Sequence, residues 1–285
     1  MPHPSNELAP GVAAPGIVRR TPVDTDIAII GAGAAGIAAA LTARATGLRF
    51  ELIEARERTG GRTWTTRTPA GQVFDQGASW IHGVDRGNPF AELALALGAS
   101  PTVDRRRRVL LDERGERQSR SVVDAFEASR AVAEQRIAAA TLDMSLADCL
   151  PVPPSPQAGP WAWNDRAFAG PWLSGTDCRD TDAVDWATEQ QGEDWLLPDG
   201  YGTLVQTVAA TVPATTSCSL EALEIRPDSV ELATSGGRFR AAHVVLTVPL
   251  GVLQAERIGF TPALPASYLQ ALDQVPMGRL MKIGL

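Results

Sequence analysis

The sequence predicts an α/β fold built on a sheet with parallel strands. A short apolar strand over 27–30 is followed at once by a glycine-rich turn, and an alanine-rich helix then runs to about Thr46. Gly47 ends that helix, and a second apolar strand follows over 50–53. This order of strand, helix and strand, over about thirty residues, is typical of a βαβ unit in which two parallel strands flank the helix.

Three glycines follow the first strand in the spacing GxGxxG, namely Gly31, Gly33 and Gly36. Gly31 permits the tight turn, Gly33 lets the backbone approach a pyrophosphate, and Gly36 allows the helix to pack closely on the strand. The start of the helix, at Ala34 and Ala35, offers backbone N–H groups and the positive end of the helix dipole to a phosphate. The pattern predicts a dinucleotide site, and an ordinary glycine-rich turn is the alternative.

An acid and a second glycine loop follow the second strand. Glu54 can accept hydrogen bonds from a ribose 2′-hydroxyl and would repel a 2′-phosphate, so NADP is disfavoured while NAD and FAD remain open. The segment EARERTGGRTWT then adds another close backbone approach and an arginine that can donate to phosphate. This tandem is typical of FAD-binding proteins of the glutathione-reductase type, so we predict FAD. The expected contact residues in this loop are Ala55, Arg56, Gly60, Gly61 and Arg62.

Composition excludes several other classes of function. The chain has 285 residues, 44% of them hydrophobic and 21% charged, which is ordinary for a globular protein. The net charge of −7 argues against a nucleic-acid partner. No apolar run reaches the roughly 18 residues expected of a membrane span. The three cysteines form no CxxC pair, so we expect no metal site, no disulfide framework and a reducing, cytoplasmic location.

Further motifs accompany the two glycine loops in a fixed order. They are FDQGASWIHGVDRGNPF at 74–90, LLPDGYGTLVQTVA at 196–209, AAHVVLTVPLGVL at 241–253 and IGFTPALPASYLQALDQVPMGRLMKIGL at 258–285. Together the motifs resemble the flavin-containing amine oxidases, and within that family the polyamine-oxidase-like branch. The resemblance extends from about Asp26 to the last residue, with a divergent middle.

The resemblance implies an FAD-binding Rossmann-like domain of the glutathione-reductase type with an inserted, incomplete α+β substrate domain. Helical periodicity over 121–150 and a hairpin signal at Gly236 and Gly237 fit this layout. The apolar run over 241–248 predicts a strand that is buried on both faces. The expected divisions are a flexible N-terminal segment at 1–22, the first part of the FAD-binding domain at 23–90, a mainly helical substrate-domain segment at 91–195, the second part of the FAD-binding domain at 196–257, and the start of a second substrate-domain segment at 258–285.

The resemblance also implies the chemistry. Enzymes of this family remove a hydride equivalent from the carbon next to an amine nitrogen, and water hydrolyses the resulting imine. O₂ takes up the electrons and becomes hydrogen peroxide. Because the flavin carries this chemistry, the protein supplies orientation, a dry pocket and electrostatics. The expected reactants are therefore a small, polyamine-like amine and O₂.

Roles for individual residues follow from the same resemblance. Lys282 is expected near the reactive flavin nitrogen, where its ammonium holds a water molecule and stabilises the reduced ring; the alternative is a lysine on an exposed strand face. His82 is expected to hydrogen-bond the substrate amine or to modulate its protonation, with a structural role as the alternative. The other residues expected beside the cofactor are Gly77, Ala78, Ser79, Trp80 and Ala222.

The last residues, MKIGL at Met281–Leu285, predict the start of a strand. Members of the resembling family continue beyond this lysine with more of the substrate-domain sheet and a final FAD-contacting motif. Two hypotheses follow. The chain is either one subunit of a split amine oxidase whose second chain supplies the C-terminal half, or a truncated, catalytically inactive FAD-binding remnant. An NAD-dependent dehydrogenase is a third interpretation, which the ERTGGR tandem disfavours.

Overall fold

The computed structural model of the chain describes residues 25–105, 109–152, 161–189 and 192–284. The N-terminal segment 1–22, for which the sequence predicts flexibility, lies outside these ranges. Within them, no helix is long and apolar enough to cross a membrane.

Two compact units divide the described residues between them. Unit 1 lies within Met1–Ala78 and Asp199–Val275, and unit 2 within Ser79–Pro198 and Pro276–Leu285. The chain thus passes between the units after residues 78, 198 and 275, whereas the predicted divisions stand at 90, 195 and 257.

Both units combine strands with helices. The described strands are β1 (Thr25–Ile30), β2 (Phe50–Ile53), β3 (Thr65–Arg67), β4 (Val73–Asp75), β5 (Trp80–Ile81), β6 (Thr102–Val103), β7 (Trp195–Leu196), β8 (Leu220–Ile225), β9 (Val230–Thr234), β10 (Gly237–Leu246) and β11 (Gly259–Thr261). The described α-helices are α1 (Ala34–Ala45), α2 (Pro89–Ala96), α3 (Arg120–Ala138), α4 (Leu146–Cys149), α5 (Trp161–Ala167), α6 (Ala183–Glu189), α7 (Tyr201–Ala209), α8 (Leu250–Gln254) and α9 (Ala266–Gln274). A π-helical segment covers Phe168–Ser174, and short 3₁₀ helices cover Val84–Arg86 and Cys178–Asp180.

A mixed six-stranded sheet in the order β11-β8-β9-β10-β1-β2 forms the centre of unit 1. β1 runs parallel to both of its neighbours, and Ile30 lies opposite Leu246 of β10 and opposite Ile53 of β2. The three strands therefore end at the same level. α1 packs on β1 and β2 through a face that includes the buried Ile37. The βαβ unit predicted from the sequence is confirmed.

The other strand pairs of the sheet include the predicted hairpin. β9 and β10 are antiparallel, and the turn between them lies at Ser235 and Gly236. Leu232 of β9 is fully buried in the main core of the unit. The prediction that the strand over 241–248 is buried on both faces is wrong, because alternate residues of β10 point away from the core and Val245 stays 37% exposed.

A loop of the same unit runs along the outer side of β2. The backbone N–H of Thr215 donates to the carbonyl oxygen of Leu52 at 2.8 Å, and the carbonyl of Thr215 accepts from the N–H of Glu54 at 2.9 Å. The N–H of Cys218 donates to the carbonyl of Glu54 at 2.9 Å. These bonds hold the end of β2, and with it the position from which the Glu54 side chain leaves the backbone.

Unit 2 contains a small antiparallel sheet in the order β5-β7-β6 and a helical part. α3, α4 and α6 pack around a core that includes the fully buried Leu146. The helical pattern over 121–150 corresponds to two helices, α3 and α4. Ser145 and Asp148 form a capping box at the start of the second, so the helix begins anew there.

The segment 275–284 forms no strand over its described residues, so the prediction from MKIGL is wrong there. A strand needs a neighbouring strand to pair its N–H and C=O groups. The N–H of Arg279 instead donates to the carbonyl of Gly175, in the turn that follows the π-helical segment, at 2.9 Å. The side chains of Met281 and Ile283 are 81% and 74% exposed.

An acidic side chain in the helical part of unit 2 makes the stability of the folded protein depend on pH. Asp165 of α5 is mostly buried, and its carboxylate lies 3.9 Å from the guanidinium of Arg130 on α3. Burial raises the pKa of Asp165 to about 6, although Arg130 opposes the shift. The raised pKa means that the folded state favours the protonated form of Asp165. The stability that this group contributes is therefore complete below its unfolded pKa, and it is lost as the pH rises through about 6 and the buried carboxyl ionises.

Replacing Asp165 by Asn should therefore stabilise the protein at neutral pH but not in acid. We expect the free energy of unfolding to rise by about 1–3 kcal/mol at about pH 7.5 and to change little at about pH 4. Urea unfolding followed by tryptophan fluorescence measures both values. Asp124→Asn, at an exposed position of α3, is the control and should shift stability by less than about 0.5 kcal/mol. An equal effect of Asp165→Asn at both pH values would contradict the assignment.

Candidate functional site

The first glycine turn lies at the carboxyl end of β1. Gly31 has a φ of 100°, and its N–H donates to the carbonyl of Ile53 at 2.8 Å. A Cβ atom on Gly36 would lie 1.8 Å from the carbonyl oxygen of Gly31, so the first turn of α1 packs directly on this loop. The structure therefore places both glycines where a side chain would not fit.

The two glycine loops meet at the start of α1. Gly33 is the N-cap residue, no side chain caps the helix there, and a Cβ atom on Gly61 would lie 3.0 Å from the Cα of Gly33. The N–H of Gly60 donates to the carbonyl of Ala32 at 2.8 Å, which ties the second loop to the first. A helix N-terminus binds phosphate through its N–H groups and its dipole. Here that end is bordered by two stretches of backbone without side chains.

Glu54 lies at the same edge of the sheet and is 9% exposed. Its Oε2 accepts the backbone N–H of Ala32 at 2.8 Å, and its Oε1 accepts the N–H of Arg56 at 2.9 Å. Each carboxylate oxygen has a second lone pair that can accept a hydroxyl. The geometry thus fixes an acceptor beside the glycine turn.

Thr247, which the sequence analysis did not single out, holds the glycine turn from the other side. Its Oγ1 lies 2.8 Å from the carbonyl oxygen of Ile30 and 3.0 Å from that of Gly31. A Cβ atom on Gly31 would lie 2.8 Å from this hydroxyl, so the contact is close. The available signal was its position directly after an apolar strand, but the sequence does not say that this strand pairs with β1.

Five further residues predicted to contact the cofactor lie at the start of α1 and in the second glycine loop. Ala35, Ala55, Arg56 and Arg62 are exposed, and Ala34 is half-buried at the first position of α1.

Packing also joins the second loop to the residues before β5. The carbonyl of Arg62 accepts the N–H of Ala78 at 3.0 Å, and a Cβ atom on Gly77 would lie 1.8 Å from that oxygen. The guanidinium of Arg58 lies 4.2 Å from the ring centroid of Trp64 and donates to the carbonyl of Gly61 at 3.2 Å.

Ala222 does not join this group. It lies on β8, paired with Gly259 of β11 and Ala233 of β9, and β9 and β10 separate it from β1. From the same part of the chain, the loop at 215–218 reaches Glu54 instead. The contact predicted between Ala222 and the cofactor stays a prediction.

The residues of unit 1 fit a dinucleotide cofactor. The second glycine loop packs on the first so closely that a Cβ atom on Gly61 would lie 3.0 Å from the Cα of Gly33, at the end of a helix that no side chain caps. The Glu54 carboxylate lies at the same edge of the sheet and has lone pairs left to accept further hydrogen bonds. Among the described residues, no group of three or more His, Cys, Asp or Glu side chains could hold a metal ion.

A second group of predicted residues comes together within unit 2. The ammonium of Lys282 donates to Oγ of Ser79 and lies 5.6 Å from the ring centroid of Trp80. The indole Nε1–H of Trp80 donates to Asp104 at 2.8 Å. Lys282 is half-buried, and it is the single lysine of the chain. The alternative prediction, a lysine on an exposed strand face, does not hold, because Lys282 is half-buried and lies in no strand.

His82 lies in the same group, with Asp194 as its partner. Its Nδ1 is 3.0 Å from Oδ1 of Asp194, and its ring stacks on Trp80 with a centroid distance of 6.4 Å. Asp104 and Asp194 were missed because nothing near them in the sequence marks them; their contacts depend on strand pairing.

Two family models match the chain. The model described as flavin containing amine oxidoreductase matches residues 161–285, and the model described as NAD(P)-binding Rossmann-like domain matches residues 29–97.

Curated relatives are similar over almost the whole chain. Polyamine oxidase 3 of Oryza sativa subsp. japonica is 29% identical over 94% of this chain and 60% of its own length. Lysine-specific histone demethylase 1B of Mus musculus is 26% identical over 91% of this chain and 34% of its own length. The chain therefore spans about a third to three fifths of these relatives.

Solved structures share the fold. Wild-type putrescine oxidase bound to putrescine has a TM-score of 0.69 and 20% identity, covering 88% of this chain and 63% of that one. Cyclohexylamine oxidase from Brevibacterium oxydans has a TM-score of 0.64 and 22% identity over the same shares. The chain is thus similar to flavin-containing amine oxidoreductases, through the family model over residues 161–285 and through relatives such as the polyamine oxidase over almost its whole length.

Proposed function

We propose that this chain takes part in the oxidation of a C–N bond of a small, polyamine-like amine to an imine, with O₂ reduced to H₂O₂. The observation that carries the proposal is the meeting of Gly33, Gly61 and Glu54 at the start of α1. Bound FAD supplies the two-electron chemistry. The polyamine oxidase named among the relatives supports the class of amine.

Unit 1 supplies the residues that would hold the cofactor. The N–H groups at the start of α1 would bind the pyrophosphate, because no side chain caps the helix at Gly33. Glu54 accepts ribose hydroxyls, and its charge disfavours a 2′-phosphate. Thr247 fixes the carbonyl groups of the glycine turn and so keeps the loop in the binding conformation.

Unit 2 supplies the groups proposed to act on the amine side of the reaction. The ammonium of Lys282, held by Ser79 and the Trp80 ring, is positioned to bind a water molecule and to favour negative charge nearby. His82 hydrogen-bonds the amine. In this proposal the remaining residues of the group hold these two side chains in place.

We propose further that activity requires a second polypeptide, and that a catalytically inactive FAD-binding remnant is the alternative. The exposed side chains of Leu280, Met281 and Ile283 form an apolar stretch of the kind that associates with another surface. The proposed reaction involves neither a nucleic acid nor a membrane.

Absorbance spectra with and without FAD test the proposal first. Yellow flavin that stays with the chain through gel filtration supports cofactor binding by the chain alone. Peroxide release from spermine, spermidine and a simple monoamine is then measured with and without a co-expressed polypeptide from the adjacent reading frame. Activity that appears only with that polypeptide supports the split enzyme, whereas bound flavin without activity in either case supports the remnant.

Thr247→Val should weaken FAD binding, because it removes the hydroxyl that fixes the glycine turn. If the lost hydrogen bond weakens FAD binding by about 1.4 kcal/mol, the Kd for FAD rises about tenfold. Quenching of flavin fluorescence gives the Kd, and circular dichroism checks the fold. Thr247→Ser keeps the hydroxyl and serves as the control. Equal affinity of a folded valine variant and the wild type would refute the role of Thr247.

Lys282→Met should leave FAD affinity within about twofold of wild type, since Lys282 is not in unit 1. Amine-dependent peroxide release by the active assembly should fall by about a hundredfold or more, as expected when a preorganised charge is lost. Lys282→Arg keeps a positive charge and should lose less. Unchanged turnover of the methionine variant would exclude Lys282 from the reaction.

A further inference from the structure

The pairing of three short strands puts one histidine and two carboxylates in a row. Trp195 of β7 lies opposite Ile81 of β5 and opposite Val103 of β6. One residue further along these antiparallel ladders, His82, Asp194 and Asp104 stand side by side across the sheet. The N–H of Asp104 donates to the carbonyl of Asp194 at 2.8 Å, which continues the ladder at this level.

The contact between Asp194 and His82 decides which nitrogen of the ring carries a proton. Nδ1 of His82 lies 3.0 Å from Oδ1 of Asp194. An ionised carboxylate only accepts hydrogen bonds, so Nδ1 is the donor. In the neutral ring the lone pair is then on Nε2. The Asp194 side chain is 19% exposed and that of His82 is 53% exposed, so the carboxylate is the sheltered partner and the ring remains accessible.

Other groups fix the remaining freedom of His82. Its carbonyl accepts a hydrogen bond from Nδ2 of Asn88 at 2.7 Å, which holds the backbone. Its ring stacks on Trp80 at an interplanar angle of 21°, and Trp80 is held by the bond from its indole to Asp104. Trp80 thus sets the plane of the imidazole, and Asp194 sets its rotation within that plane.

We propose that Asp194 is the positioning residue for His82, holding the imidazole in the Nδ1–H form so that Nε2 accepts a hydrogen bond from the substrate amine. The part of this inference that concerns the amine rests on the proposed function. The part that concerns the ring does not, because the tautomer is a property of the chain itself. Asp194 contacts neither cofactor nor substrate in this account.

Nitrogen NMR of the imidazoles tests the positioning directly. The chain has three histidines, and the spectrum of His82→Gln identifies the signals of His82. At about pH 9, where an ordinary imidazole is neutral, wild-type His82 should show a protonated Nδ1 and an unprotonated Nε2. Asp194→Ala should move His82 toward the Nε2–H form that prevails in free histidine. Asp104→Asn, in the same row but bonded to Trp80, is the matched control and should leave the tautomer unchanged.

Kinetics of the active assembly test the consequence. Asp194→Ala should raise KM for the amine about tenfold with kcat changed less than about threefold, and Asp194→Glu should restore part of the loss. A wild-type His82 in the Nε2–H form, or an alanine variant with an unchanged tautomer, would overturn the proposal whatever the activity. A shifted tautomer with unchanged KM would overturn the link to the amine. Absence of any amine oxidation would count against the proposed function but not against the positioning of His82.

Discussion

The parallel pairing of β1 with both β2 and β10 is the constraint on which the rest of unit 1 depends. Because Ile30 stands level with Ile53 and Leu246, the residue that follows each strand arrives at the same edge. Those residues are Gly31, Glu54 and Thr247. A change of register by one residue would move the acid and the hydroxyl away from the turn and reverse which face each side chain meets.

Much of this arrangement could be predicted from the sequence because its determinants are local. The spacing of Gly31, Gly33 and Gly36, and the acid at the end of the second strand, describe a loop, a helix start and a ribose acceptor over a short stretch of chain. The positive φ angles at Gly31, Gly60 and Gly61 are the physical reason that glycine stands at these positions. The tertiary structure adds that the two loops touch.

What the sequence could not give depends on contacts between distant segments. Strand pairing between distant segments creates the contacts of Thr247, Asp104 and Asp194. The residues beside them in the sequence do not predict that pairing. Residues 281–284 alternate as a strand does, but the segment that contains them bonds through Arg279 to a turn at Gly175, so the alternation alone was misleading. Lys282, in contrast, could be noticed in the sequence, because it is the single lysine in a chain whose other strongly basic residues are arginines. The structure adds that its ammonium donates to Ser79.

A competition titration tests most directly the claim that unit 1 holds the adenine dinucleotide part of FAD. The chain is titrated with FAD, and ADP or riboflavin is then added to the complex. The contacts at Gly33, Gly61 and Glu54 act on phosphate and ribose, so ADP should displace FAD while riboflavin should neither bind nor compete. A chain that takes up no FAD, or that binds riboflavin as well as FAD, would contradict this account.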